Sequence, residues 1–300
     1  MKVVALPEVE RHERASVAVG TFDGVHLGHR EVIDSSESVL TFDPHPVSVV
    51  APRHTPKLLT RPERKAELIA SLGVREMIVI PFDAAFAQRS ASAFIDEVLV
   101  GALGARQVAI GENFRFGHKA QGDARLLAAD ERFTTVVRPL LEVDGEIVSS
   151  SHIRGLVLAG DVAKANQLLG APFQLCGEVT RGDERGRTLG FPTANLIPDE
   201  ALACPGHGVY ACLANGHPAA VSIGVRPTFQ TGRGELIEAY LLDFNGDLYG
   251  TQLCLEFIER LRGERRFDTA EALMAQMHRD VERTREVVGA QAAGARADVC

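Results

Sequence analysis

A chain of 300 residues is about twice the usual domain, and 45% hydrophobic with 24% charged residues is ordinary for two soluble cores. A formal charge of −8 excludes a broadly basic nucleic-acid-binding face, so an anionic ligand must be met locally by backbone N–H groups, a few Arg or His side chains, or a metal ion. No run nears the roughly 18 apolar residues of a membrane span.

The first seven residues are too short for a signal-peptide core, and a cytoplasmic protein is expected. The five cysteines (Cys176, Cys204, Cys212, Cys254 and Cys300) are widely spaced without a Cys-x-x-Cys pair. That pattern predicts reduced thiols, not a zinc site or a disulfide framework.

In chain order, residues 16–20, 39–42, 77–80 and 107–110 are short apolar runs that stop at glycine, proline or acidic residues, the pattern of buried parallel strands. Thr60-Arg-Pro-Glu63 predicts a capping box with proline in the first turn, opening a helix whose apolar face is Leu68, Ile69 and Leu72. Ser90 predicts the start of another helix, carrying Phe94, Ile95, Val98 and Leu99. Repeated strand–helix units imply an α/β Rossmann-like domain, an open parallel sheet with ligands at its C-terminal strand ends. One connection is short: only residues 30–40 separate His29 from the next strand, and Ser35-Ser-Glu-Ser38 reads as loop. A βαβ crossover usually takes at least about 10–12 residues including its helix.

The first domain is assigned to residues 1–160, followed by a linker over 161–172 that is helical around 162–169. From 173 to 290 the texture changes. Strand-like runs at 173–179, 209–213, 219–223, 237–242 and 252–257 alternate with turns that include Asn215-Gly216 and Asn245-Gly246, predicting a small β-barrel. A closing helix follows, flanked at its start by Asp268 and Glu271, with Ala272, Leu273, Met277 and Val281 at amphipathic spacing. The Ala/Gly-rich residues 291–300 are expected to be a flexible tail.

The chemistry concentrates in a few motifs. Gly20-Thr-Phe-Asp-Gly-Val-His-Leu-Gly-His29 follows a predicted strand; Gly20, Gly24 and Gly28 let backbone amides approach a ligand closely. His26 and His29 can hydrogen-bond phosphate oxygens as charge builds, with no need of a nucleophile from the protein. His45 in Thr41-Phe-Asp-Pro-His-Pro46 and Asn113 in Gly111-Glu-Asn-Phe-Arg-Phe-Gly117 follow other strands at the same edge. Ser149-Ser-Ser-His-Ile-Arg154 is placed just before a helix, offering hydroxyls, N–H groups and a guanidinium to phosphates. In the second half, Gly190-Phe-Pro-Thr-Ala-Asn195 sets a polar Thr/Asn pair in a proline turn.

Taken together, and in order over roughly residues 16–288, these motifs resemble bacterial bifunctional riboflavin kinase/FAD synthetases. The first-half matches are those above with Lys119-Ala-Gln-Gly-Asp123. The second-half matches are Arg181-Gly-Asp-Glu-Arg-Gly-Arg-Thr-Leu-Gly-Phe-Pro-Thr-Ala-Asn195, Gly208-Val-Tyr210, Ser222-Ile-Gly224, Pro227-Thr-Phe229, Glu238-Ala-Tyr-Leu-Leu-Asp243 and Leu261-Arg-Gly-Glu264 with Phe267.

The resemblance implies a β-barrel riboflavin kinase domain that phosphorylates riboflavin, behind a domain that joins FMN to AMP and releases pyrophosphate. It further implies ATP as co-substrate, Mg²⁺ in both halves, and riboflavin, FMN and FAD as substrate and products. Thr193 and Asn195 would hold the kinase metal and Glu238 would be the base. Gly182 and Gly186 would lie in a flap over phosphates, and Arg262 would border the flavin. Gly20, Phe22, Asp23, Gly24, His45, Asn113, Ser150 and Arg154 would bind nucleotide around the catalytic His26 and His29. Partners are then small molecules, without nucleic acid or membrane, and a weak homo-oligomer is allowed.

The short 30–40 segment departs from the family, whose members carry a full helix there. It motivates an alternative in which the kinase works and FAD synthesis is impaired, with apolar sheet surface exposed or filled by a neighbouring segment or subunit. Two further readings stay open: adenylylation of another phosphate ester, and a non-catalytic flavin binder. The binder is disfavoured because a pure binder has no need of a base beside a metal site.

Overall fold

Six strands, β1 (Lys2–Ala5), β2 (Val17–Val19), β3 (Ser38–Asp43), β4 (Glu76–Pro81), β5 (Gln107–Gly111) and β6 (Thr134–Arg138), form one parallel sheet in the order β1-β4-β3-β2-β5-β6. This computed structural model describes residues 1–181, 191–225 and 235–297, so Gly182, Gly186 and the Pro227-Thr-Phe229 match lie outside the described residues. The chain falls into two compact units, Met1–Ser150 and Ser151–Cys300.

The four predicted runs are β2 to β5. Edge strands β1 and β6 fall outside the prediction because they are mostly exposed or half-buried and so lack a continuous apolar run. From β2 the chain moves outward through β3 to β4, then resumes on the other side of β2 at β5. That reversal creates a switch point, where the crevice at the C-terminal strand ends accepts ligands.

The short crossover does not open the sheet. Helix α1 (Leu27–Ile33) occupies it, and Val32 and Ile33 pack with Ala18, Val39, Ile69 and Met77 over one face. Helices α2 (Pro46–Val50) and α3 (Pro62–Ser71) follow. The expected capping box is absent: Arg61 is the N-cap of α3 and makes no side-chain cap bond. Thr60 is used elsewhere, as shown below. Ile69 is fully buried and Leu68 packs beside it, but Leu72 lies past the helix end and is exposed.

After α4 (Ala84–Ala87), Ser90 caps α5 (Ala91–Ala93) as predicted. The chain then continues as a π-helix over Phe94–Ala102 that buries Phe94, Ile95, Val98 and Leu99 against the other sheet face. The Leu103 N–H donates to Val98 O at 2.9 Å, the widened i→i−5 pattern. Helix α6 (Ala124–Ala128) precedes β6, and a small hairpin of β7 (Glu142–Val143) and β8 (Glu146–Ile147) follows it. Arg14, with no solvent exposure, ties the amino-terminal segment down: Nε donates to Glu76 Oε2 at 2.8 Å and Nη1 to Leu103 O at 3.0 Å. Its charge is thus paired where an unpaired one would be strongly destabilising.

The second unit contains a closed antiparallel barrel in the order β10-β13-β12-β11-β14-β9. Its strands are β9 (Phe173–Thr180), β10 (Ala194–Pro198), β11 (Gly208–Ala214), β12 (His217–Val225), β13 (Glu235–Leu241) and β14 (Gln252–Arg262). Five were predicted; β10 is hidden inside the Gly/Pro-flanked motif. Asn215 and Gly216, at φ 46° and 85°, make the tight turn from β11 to β12. Helix α7 (Ser150–Ala159) begins inside the Ser149–Arg154 motif, which therefore forms its first turns and does not precede it. Helix α8 (Val162–Leu169) is the linker helix, and α9 (Ala270–Ala297) runs on through most of the expected tail.

The thiol expectation is corrected. Cys176 on β9 and Cys254 on β14 are cross-strand partners and form a disulfide. They are 78 residues apart in sequence, and only barrel register brings them opposite. Cys204 and Cys212 are free, and burial pushes the Cys212 thiol well above its ordinary pKa.

Candidate active sites

The loop from β2 to α1 lies at the switch point. Phe22, Gly24 and Val25 all have positive φ, at 51°, 88° and 42°. Non-glycine residues persist there only when their surroundings hold them. The holding groups are visible: Phe22 and Val25 are buried, and Asp23 Oδ1 accepts from Leu59 N at 2.8 Å and Thr60 N at 3.1 Å. The Gly24 N–H donates to Thr60 Oγ1 at 3.1 Å, which is where the expected helix cap is spent. Ser150 Oγ donates to Asp23 O at 2.9 Å. At Gly20, an added Cβ would come within 2.9 Å of the Phe22 ring. Asp23 and Gly20 thus build the loop that presents the histidines.

His26 is the N-cap of α1, its Nδ1 accepting from His29 N at 3.2 Å. The two imidazoles stack with centroids 3.5 Å apart, and Phe22 meets His29 edge-on at 5.3 Å. Burial pulls the His26 pKa from 6.5 down to about 4. His29 is held well below its ordinary value by burial, then by the charges of His26 and Lys65. Both rings are therefore neutral near pH 7. Because Nδ1 of His26 is an acceptor, its proton sits on Nε2, a neutral donor. His29 Nδ1 is buried without a hydrogen-bond partner among the described residues, a polar atom suited to a ligand at this edge.

Beside this loop a cavity of about 830 Å³ is lined by Thr21, His45 and Asn113 and walled by phenylalanines. Ring contacts run from Phe42 to Phe82 (5.8 Å), Phe82 to Phe86 (5.7 Å), Phe86 to Phe94 (6.5 Å), Phe94 to Phe116 (5.3 Å) and Phe116 to Phe114 (5.7 Å). Arg89, Arg115, His118 and Lys119 add basic groups to the lining. An aromatic wall with basic groups suits a flat ring system carrying phosphate. His45 caps α2 through Nδ1, which accepts from Val47 N at 3.2 Å. None of these phenylalanines except Phe42, Phe114 and Phe116 falls in a motif; spacing alone gave no sign that they share one cavity.

In the barrel the decisive geometry is register. Glu238 on β13 is directly opposite Asn195 on β10 and Ser222 on β12, and Asn195 is opposite Thr180 on β9. Opposite residues share a face. Ile237, Ala239 and Leu241 are buried inside, so Glu238 faces outward. Thr193 lies one residue before β10, two residues from Asn195. Next to this row, α9 covers the barrel through Met277 and Val281, which pack with Phe191, Tyr240 and Leu242.

Thr193, Asn195 and Glu238 offer only hard oxygen donors. Among the described residues no group of three His, Cys, Asp or Glu side chains could hold a metal. This donor set fits Mg²⁺, which keeps several waters and takes few protein ligands.

Two families match this chain in succession: FAD synthetase over residues 8–152 and riboflavin kinase over residues 169–288. A bifunctional riboflavin kinase/FMN adenylyltransferase of Listeria monocytogenes is 40% identical over 90% of this chain and 91% of its own length. The chain belongs to the bifunctional riboflavin kinase/FMN adenylyltransferase family. Family members of the same name from Bacillus subtilis and Escherichia coli K12 are 38% and 35% identical, covering 90% and 92% of this chain and 92% and 94% of their own lengths. A crystal structure described as a macrolide-efflux protein from Streptococcus pneumoniae has a TM-score of 0.88 and 28% identity, covering 95% of this chain and 99% of that one.

The residues predicted from the motifs divide into three groups. His26, His29, Phe22, Gly24 and Ser150 meet in one loop constellation that Asp23 and Gly20 support; His45 and Asn113 line the adjoining cavity. Asn195 and Glu238 share one barrel face, with Thr193 one residue before β10. Arg262 is engaged otherwise: Nε and Nη2 bind Asp280 of α9 at 3.0 and 2.8 Å, and its guanidinium lies over Phe267 at 5.8 Å. Arg154 is on α7. Lys65 of α3 was missed altogether; its Nζ donates to Thr21 O at 3.2 Å and Thr41 Oγ1 at 3.3 Å, beneath the histidine loop.

Burial of His26 has a consequence for acid stability. Above pH 6.5 neither the folded nor the unfolded chain protonates it. Between pH 6.5 and about 4 the unfolded chain takes a proton the folded one refuses, so stability falls with pH, by about 3 kcal/mol for this residue. Denaturant titrations should show a lower midpoint at pH 4.5 than at pH 7, and a smaller difference in His26→Gln. Parallel pH dependences for the two proteins would refute the assignment.

Proposed function

We propose that the barrel unit phosphorylates riboflavin with ATP and that the parallel-sheet unit adenylylates the resulting FMN to FAD. The observation that carries this reading is that the two family matches lie in succession on one chain, each over one compact unit. Nothing in the described residues favours the kinase-only alternative, since α1 covers the sheet and seats both histidines despite the short crossover.

In the kinase unit, Thr193 and Asn195, with Glu238 beside them, would hold Mg²⁺, which when bound offsets the charge of the ATP phosphates. Glu238 accepts the proton of the ribityl 5′-hydroxyl as its oxygen bonds to the γ-phosphorus, while the bond to the bridging oxygen of ADP breaks. In the adenylyltransferase unit, a phosphate oxygen of FMN attacks the α-phosphorus of ATP and pyrophosphate leaves. No proton need move, so the site's task is orientation and charge stabilisation. His26 and His29 serve it as neutral donors toward the phosphates, and the phenylalanine-walled cavity receives the isoalloxazine. Gly20, Phe22, Asp23 and Gly24 shape the phosphate loop, Asn113 and His45 border the nucleotide, and Ser150 and Arg154 complete the phosphate contacts.

Among the described residues no helix is long and apolar enough to cross a membrane. We place the enzyme in the cytoplasm, acting on small molecules without nucleic acid or membrane, with weak self-association allowed.

Chromatography of flavins tests the assignment. Protein incubated with riboflavin, ATP and Mg²⁺ should yield FMN and FAD, and a parallel sample started from FMN should yield FAD. FMN without FAD in both samples would confine activity to the barrel and implicate residues 30–40.

A further inference from the structure

Lys65 is a lysine in an unusual place. It lies on α3, on the side that covers the sheet, and its side chain is half-buried beneath the β2–α1 loop. Both groups its ammonium touches are neutral oxygens: the carbonyl of Thr21 at 3.2 Å and the hydroxyl of Thr41 at 3.3 Å. Thr41 Oγ1 in turn donates to Thr21 O at 3.1 Å, so the three groups form a closed triangle joining the ends of β2 and β3. Among the described residues no carboxylate comes within ion-pair distance of Nζ. Asp23 and Asp43 act on it only from farther off, and the Asp23 carboxylate is already committed to the backbone of Leu59 and Thr60. Burial lowers the lysine pKa against the pull of those two carboxylates.

A half-buried ammonium that touches no carboxylate is stabilised when something anionic arrives to pair with it. Here the place is informative. Thr21 lines the large cavity, and the two imidazoles of the loop beside it carry no charge near neutral pH. A triphosphate bound there would lack a fixed positive partner if it met only imidazole and backbone N–H groups from that loop. We propose that Lys65 is a fixed cation of the adenylyl-transfer site, its ammonium meeting the phosphates of ATP beside His26 and His29. Two of its three N–H groups are used by Thr21 and Thr41, leaving the third for a phosphate oxygen. Those two bonds also prepay the ordering of a long flexible side chain, so the charge is in place before ATP arrives.

This inference rests on the adenylyltransferase reading, and the test separates the two. FAD formation from FMN and ATP is measured for wild type and for Lys65→Arg, Lys65→Gln and Lys65→Met, at low and high ionic strength. Riboflavin phosphorylation and the thermal midpoint without ATP are measured alongside. Gln and Met should lower kcat/KM for ATP by roughly ten- to a hundredfold, with Arg keeping most of the activity. The salt dependence of KM for ATP should weaken in Gln and Met but persist in Arg. Riboflavin phosphorylation should be unchanged in all three. A role as a hydrogen-bonding brace predicts Gln and Arg alike, since both retain donors and only Gln lacks the charge. Gln as active as Arg, or a salt dependence that Gln leaves intact, would overturn the inference. Wild-type protein that makes no FAD would overturn the adenylyltransferase reading itself.

Discussion

Replacing Glu238 by Gln should lower the rate of riboflavin phosphorylation by about 10²- to 10⁴-fold while leaving FAD formation from supplied FMN unchanged. The substitution preserves shape and removes the one group on the Thr180–Asn195–Glu238–Ser222 row able to take a proton from an attacking hydroxyl. Glu238 faces outward from a rigid barrel strand, so loss of its charge does not disturb the core packed around Ile237 and Ala239. Steady-state FMN production, with riboflavin binding followed by fluorescence quenching, checks the claim. Loss of turnover with binding retained identifies the base. Unchanged turnover would remove Glu238 from catalysis and reopen the flavin-binder reading.

The mirror-image result is expected in the other unit. His26→Asn should depress FAD formation by about 10²- to 10³-fold, the usual cost of losing one preorganised donor, and leave FMN production from riboflavin intact. Asn is chosen because its side-chain oxygen can still accept the His29 N–H at the start of α1, so the helix cap survives while the Nε2 donor is lost. The stacked partner should be affected as well: without the His26 ring at 3.5 Å, His29 loses part of the packing that orients it. Comparing kcat and KM for ATP separates the outcomes. A fall in kcat marks a contact made in the transition state, whereas a rise in KM alone marks ground-state binding. Wild-type kcat in His26→Asn would remove the imidazole from the chemistry.

Much of this was legible beforehand, and particular residues show why. Runs such as 39–42 and 107–110 are mostly apolar because their strands are buried on both faces, and such runs announce themselves. The Ser90 cap was readable because a cap is a local hydrogen bond, here to Ala93 N. Thr60 shows the limit of the same logic. Its motif is a good capping box, yet its hydroxyl serves Gly24, a residue 36 positions earlier, because loop closure at the switch point claims it. The π-helical turn over Phe94–Ala102 likewise leaves the apolar spacing almost unaltered and so stays hidden from periodicity.

By itself the amino-acid sequence determined the two-part organisation, the parallel sheet and the barrel, because each depends on residue type and short-range spacing; the motifs around His26, His29, Thr193, Asn195 and Glu238 were legible as motifs, and the roles proposed for the kinase residues came from the resemblance. Tertiary structure alone decided the partners: Glu238 opposite Asn195 through strand register, Cys176 bonded to Cys254, Arg14 buried against Glu76, and Lys65 beneath the histidine loop. The physical reason is the same in each case. Register and burial bring together groups far apart along the chain, and no local pattern records which distant group will arrive.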